Sequence, residues 1–284
     1  MAIENELEKS KAYQLKFQPD PENILEISID NVARIEAIIR LDSNYNRSGD
    51  INARPEYATY KKGEKKGKKY TKYAGSTAYW MTQLKNYWLD EKCDNSLKEE
   101  IMYQAVSAVD RENSTHLTAD NDVSNYKNNG AGRREIANRL CGMPNLHDRL
   151  SNRDFELINE IRKKTANEKG RENYSFATKF CHYACMYLFD DEKRDNFSIY
   201  DMVLRDALVE YAKRYEIQNE GNQNYTINDF NDYPTYSHVI DLIRAKAAQM
   251  NNEEQVSRNG FDHLLWYYHK GNSVKKINHF NNTK

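Results

Sequence analysis

Apolar residues along this 284-residue chain recur every three or four positions over segment after segment, while strict alternation is confined to short stretches. A period near 3.6 gathers one apolar stripe on a helix, whereas a half-buried strand needs a period of two. Val32, Ile35, Ile38 and Ile39 predict a helix within 29–41. Ser76 ahead of Tyr79, Trp80, Leu84, Tyr87 and Trp88 predicts a second. A third is announced by the capping-box spacing of Ser96 and Glu99 before Ile101, Ala105, Ala108 and Val109. Similar patterns follow around Ile136, Ala137 and Leu140, over 154–164, 174–189 and 200–215, and near 236–250 and 261–269. The expected fold class is all-α, or mostly α. Three stretches depart from the pattern. Tyr13–Phe17 reads as an edge strand closed by Pro19 and Pro21, residues 42–60 read as a long polar loop or an insertion, and Gly260 argues against a regular helix around it.

The length allows one large domain or two small ones. The reading divides the chain at 75. Residues 1–75 form an N-terminal extension with a lysine-rich loop at 61–73, and residues 76–284 form a helical region, in one or two lobes, with a helical hairpin at 174–215. Much of the apolar surface comes from the 21 tyrosines. Cys93, Cys141, Cys181 and Cys185 show no Cys-x-x-Cys spacing, and neither a signal peptide nor a membrane span is evident, so a cytoplasmic location without a membrane partner is the expectation. Cys181 and Cys185 share a helix face, which with His182 permits a metal reading. The weightier reading is two small buried apolar side chains, and no metal or cofactor is expected.

A net charge of −1 separates this chain from strongly basic nucleic-acid binders, so any such binding has to come from a local patch. One patch stands out: Lys61, Lys62, Lys65, Lys66, Lys68, Lys69 and Lys72 lie within thirteen residues that end on Tyr70 and Tyr73. Lysines hold a phosphate backbone and tyrosines stack on bases; a solvated loop that maintains solubility is the plainer alternative. Arg133 and Arg134 follow the Asn128–Gly132 loop at the start of a predicted helix, where an N-terminus and two guanidiniums would attract an anion, against the reading of a simple loop-to-helix junction.

Around the 174–215 hairpin the residues become more specific. Thr178-Lys179 lies near the start of one helix, and Ile199-Tyr200-Asp201-Met202-Val203 opens the next. Over about residues 173–212 this resembles the catalytic hairpin of the helix-hairpin-helix DNA glycosylases, most nearly the 8-oxoguanine DNA glycosylase branch. The resemblance implies a helical glycosylase-like fold and DNA as partner. It implies excision of a damaged or modified base, with Asp201 stabilising positive charge on the sugar and Lys179 attacking C1′. A Schiff base on Lys179 would add lyase activity. The amine would have to lose its proton to attack, with Phe176, Phe180 and Ile199 supplying the desolvation. A flipped base needs a stacking pocket, for which Tyr174, His182, Tyr200, His263 and Trp266 are the candidates. The family's hairpin turn carries Gly-x-Gly, and here Tyr174-Ser175-Phe176 stands in that place.

Two other readings remain open. The missing glycines suit a DNA-binding or partner-binding subunit without turnover. Arg111–His116 and Arg258–His263 match the Arg-x4-His spacing of helical ribonucleases, a pattern short enough to arise by chance in a chain with this many arginines and histidines.

Overall fold

The computed structural model describes residues 24–41, 47–88, 94–117, 132–166 and 172–270; Tyr13–Phe17, Cys93 and Asn128–Ala131 lie outside them. The protein is mostly helical, with a single two-stranded sheet among the described residues. It divides into two compact units, one drawn from residues 1–43 and 197–284 and the other from 44–196. The second unit is thus an insertion in the sequence of the first, and residues 75 and 76 both lie inside it.

The first unit contains α1 (Ile29–Leu41) together with three helices from the C-terminal part of the chain. These span Met202–Arg214, Tyr233–Asn251 and Arg258–His269. Each of the three begins with a side-chain cap: Asp201 Oδ1 accepts from Leu204 N at 2.9 Å, Asp232 from Thr235 N at 3.0 Å and Ser257 from Gly260 N at 2.9 Å. Gly260 lies within the last helix, contrary to the expected interruption. The reason is packing: a Cβ at Gly260 would sit 2.7 Å from Val32 Cγ1 on α1, so only glycine allows this approach.

Two extended segments, 24–28 and 197–200, run through this unit without pairing into a sheet. Their buried backbone groups still need partners. Tyrosine hydroxyls supply most of them. Tyr211 Oη accepts from Leu25 N at 3.2 Å and donates to Leu25 O at 3.0 Å. Tyr233 Oη accepts from Ser198 N and donates to Ser198 O, both at 2.9 Å. Tyr215 takes Ile27 N at 3.1 Å, and Tyr236 donates to Ile199 O at 2.7 Å. Asp262 Oδ2 accepts from Ile199 N at 2.7 Å, and Asn251 donates to Ile27 O at 2.9 Å.

The second unit holds strands β1 (Pro55–Thr59) and β2 (Lys69–Ala74) and helices α2 (Thr77–Trp88), α3 (Asn95–Asn113), α4 (Arg133–Cys141), α5 (Leu146–Ser151), α6 (Glu156–Lys164) and α7 (Tyr174–Leu188). The first-unit helices are then α8 (Met202–Arg214), α9 (Tyr233–Asn251) and α10 (Arg258–His269). Helix α3 packs against α2, α4 and α7, burying Ile101, Met102, Ala105, Val106 and Val109. Ser76 Oγ accepts from Tyr79 N at 2.9 Å, as its position before α2 predicts. Asp94 rather than Ser96 caps α3, because the helix starts one residue before Ser96 and the Asp94 carboxylate accepts the Ser96 amide.

The largest departure from the sequence reading lies at 42–73. Strands β1 and β2 pair antiparallel, Tyr57 against Thr71 and Ala58 against Tyr70, in place of the polar loop and lysine-rich loop that the sequence predicts. The alternation of Tyr57, Thr59 and Tyr70, Lys72 is hidden by its low apolar content: the pattern marks a strand only when one face is buried, and this hairpin buries neither.

Candidate functional site

The hairpin is anchored at its root and exposed at its tip. Gly75, at φ +86°, turns the chain from β2 into α2, and a Cβ there would lie 2.6 Å from Trp80 Nε1. Trp80 Nε1 donates to Ala74 O at 2.7 Å, Arg111 donates to Gly75 O at 2.7 Å, and Ser76 N donates to Ala53 O at 3.0 Å. The Arg47 guanidinium lies 3.6 Å from the centre of the Tyr73 ring and bonds Glu56 at 2.9 Å. Tyr73 Oη donates to Glu112 at 3.2 Å, and burial, with the Glu112 charge, pushes the phenol up to about 12. Beyond this root, Lys61, Lys62, Lys65, Lys66, Lys68 and Lys69 are exposed around a turn made by Gly63 and Gly67, both at positive φ. Lys72 is exposed too, and its Nζ bonds Glu56 at 3.0 Å. Tyr57 is 68% exposed, Tyr60 37% and Tyr70 38%. The Tyr60 and Tyr70 rings are 4.5 Å apart, and Lys65 Nζ lies 5.9 Å from the centre of the Tyr60 ring. A short, cationic, tyrosine-bearing ribbon of this kind presents the chemistry that binds a polyanion with planar groups.

Arg133 and Arg134 are used differently. Arg133 pairs with the buried Asp110 carboxylate, at 2.7 and 2.8 Å, and Arg134 pairs with Glu100 at 2.7 Å while stacking 3.6 Å from the centre of the Tyr103 ring. Both guanidiniums therefore tie α4 to α3. Asp110 also accepts from Thr115 Oγ1 at 2.6 Å and Leu117 N at 2.8 Å.

This belongs to a larger arrangement at the C-terminal end of α3, where four successive residues each hold a different segment. Asp110 holds the 115–117 loop and α4, Arg111 holds Gly75, Glu112 holds Tyr73 and Thr77, and Asn113 holds α7. The Asn113 contact is made by Lys179. Its Nζ donates to Asn113 O at 3.1 Å, and the neighbouring Tyr183 Oη donates to Asn113 Oδ1 at 2.8 Å. Lys179 is only 8% exposed, on a helix whose Phe176 and Phe180 are fully buried. A lysine donating to the last carbonyls of a helix is placed at the negative end of that helix's dipole.

Asp201 is the N-cap of α8, where its carboxylate accepts the Leu204 amide. Lys179 belongs to the second unit and Asp201 to the first, and in its own unit each side chain has the structural partner just described. The remaining pocket candidates divide the same way. In the second unit His182 is buried edge-on to Tyr183, and Tyr174 lies 5.2 Å from the Arg162 guanidinium. In the first, Tyr200 packs edge-on against Tyr236 at 5.2 Å, His263 Nδ1 lies 3.9 Å from Glu36 and holds that carboxyl below its usual range, and Trp266 carries Lys270 Nζ 4.1 Å from its ring centre.

Cys181 and Cys185 are both buried in α7, and burial pushes both thiols up. Among the described residues, no group of three or more His, Cys, Asp or Glu is gathered as for a metal ion, and no helix is long and apolar enough to cross a membrane. Of the arginine–histidine spacings, Arg111 ends α3 on Gly75 O while His116 lies past the helix at φ 59°; Arg258 and His263 share α10, with Arg258 buried in an ion pair to Asp241.

Sequence reasoning missed a cleft of about 500 Å³ in the second unit, lined by Trp88, Met102, Met143 and Leu146 with His147 and Glu99 at its polar edge. Its walls come from the ends of α2, α3, α4 and α5, and helical periodicity assigns those side chains to a core without distinguishing a filled core from an open one.

The family model HI_0787_N, described as an N-terminal domain, matches residues 64–187. No curated protein matches the chain, and no solved structure matches it. The matched stretch is less than half of the chain and falls wholly within the second unit, so the similarity to that family takes in β2, the cleft and Lys179 and stops before Asp201.

Proposed function

We propose that the protein binds DNA through the β1–β2 hairpin, with the exposed lysines on phosphates. One observation carries this reading: in a chain of net charge −1, seven lysines against Glu56 and Glu64 are concentrated on one projecting hairpin whose root, not its tip, is committed to the rest of the unit. Lys72 is held by Glu56, so the six lysines from 61 to 69 are the phosphate ligands. If about four of them contact phosphate at once, replacing all six by glutamine flattens the slope of log K against log salt by roughly 3 to 4. Fluorescence anisotropy on labelled DNA across a salt series measures this. An unchanged slope assigns the lysines to solubility.

Base excision is the second reading, favoured by the burial of Lys179, a removal from water of the kind a nucleophilic amine requires. Such chemistry requires Lys179 to leave Asn113 O and Asp201 to meet the sugar while still capping α8. Borohydride trapping on DNA carrying modified bases tests it. A covalent adduct that disappears in Lys179→Ala supports excision, and the absence of any adduct overturns Lys179 as the covalent nucleophile.

A further inference from the structure

The hairpin's side chains specify more than a polyanion. We infer that its partner is single-stranded nucleic acid, held by bases stacking on Tyr57 and on the Tyr60–Tyr70 pair; this rests on the DNA-binding reading above and narrows it. The pairing of Tyr57 with Thr71 and of Ala58 with Tyr70 sets the faces. Tyr57, Thr59, Lys69 and Thr71 lie on one, and Ala58 and Tyr70 on the other, where the Tyr60 ring joins Tyr70. The Tyr57 face thus combines an accessible phenol ring with Lys69, and Lys65 Nζ lies 5.9 Å from the Tyr60 ring beside Tyr70.

A two-stranded ribbon can also enter the major groove of a duplex, and there it reads adenine with asparagine or glutamine and guanine with arginine or lysine. Residues 55–74 contain no arginine, asparagine or glutamine, so of these readers they carry lysine alone. What they offer is ring faces and point charges, which suit unpaired bases and a phosphate chain and carry little sequence information. Tyr57 is the clearest case. At 68% exposure, midway along β1, it spends most of its apolar ring on solvent, an arrangement that stacking would relieve. The Tyr60–Tyr70 pair also contributes to the hairpin itself, so Tyr57 is the cleaner probe.

The test uses the full chain, an oligothymidylate of about 20 nucleotides and a duplex of the same length, compared by anisotropy. The expected result is binding to the single strand roughly tenfold tighter or more, with Tyr57→Ala losing at least about fivefold on the single strand and Tyr57→Phe keeping its affinity, because the ring stacks and the hydroxyl does not. Circular dichroism and thermal melting of Tyr57→Ala should match the parent. Equal affinity for duplex and single strand, or full affinity in Tyr57→Ala, overturns the stacking inference while leaving phosphate binding standing. Failure of both DNAs to bind overturns the DNA-binding reading as well.

Discussion

Lys179 shows how one side chain can satisfy two descriptions. Its burial suits a nucleophile, yet its Nζ closes the end of α3 on Asn113 O. Removing it would leave that carbonyl short of a donor, at a cost of about 1–3 kcal/mol. Lys179→Ala should therefore lower the stability of the second unit in urea, and Lys179→Met should do so less because it fills the space. An unaltered midpoint in both would show that the contact contributes nothing. Gly260 provides a sharper case. A Cβ 2.7 Å from Val32 Cγ1 forces α1 and α10 apart, so Gly260→Ala should cost about 1–3 kcal/mol, and adding Val32→Ala should recover part of it. Failure of the second change to recover any stability would place the strain elsewhere. A single sequence shows that Gly260 is a poor helix former; it does not show that another helix occupies the space where a side chain would be.

Helices were legible wherever apolar spacing was long and regular, as in α1, α2 and α7, whose starts fall within a residue or two of expectation. Caps were legible where the polar residue directly preceded the apolar run, as Ser76 does. Asp94 was obscured by Ser96, whose spacing to Glu99 mimics a cap two residues further on. The hairpin reads as loop in sequence because β-pairing with both faces wet leaves no apolar alternation, and only Gly63, Gly67 and Gly75 hint at its turns. Its charge was legible and its conformation was not. An isolated hairpin is marginally stable, so the contacts at the root must hold this one. Trp80→Phe, which deletes the bond to Ala74 O while keeping an aromatic ring, should raise amide exchange at Tyr70 and Thr71 by roughly fivefold or more, and unchanged protection would mean the strands hold without that anchor.

Across the whole molecule the chain builds two units, and no feature of the sequence marks residues 43 and 196 as their limits, since the first unit is assembled from both ends of the chain. For the same reason the Thr178-Lys179 and Asp201 strings, which look like one hairpin in sequence, belong to separate units. The units can be followed separately, because Trp80 and Trp88 lie in one and Trp266 in the other. Burial lowers His269 to about 4, and its Nε2 lies 3.4 Å from Tyr211 Oη. Tyr211 already gives its proton to Leu25 O, so the neutral imidazole serves as donor. Unfolded, the ring takes up a proton near pH 6.5; folded, only near 4. The folded state is thus at full stability above pH 6.5 and loses about 2–3 kcal/mol as pH falls to 4. Trp266 emission in urea should report that loss, His269→Gln should flatten it, and an equal pH dependence in the variant would assign it to other groups. The tyrosine hydroxyls around the extended segments bear on how this unit opens. Leu25 and Ser198 belong to no helix or strand, yet each has its amide and carbonyl clasped by a single phenol. Their amide protons can meet solvent deuterium only when α8 or α9 moves away, so they should exchange as slowly as the middle of those helices, marking as late-opening two places that any map of secondary structure would leave blank.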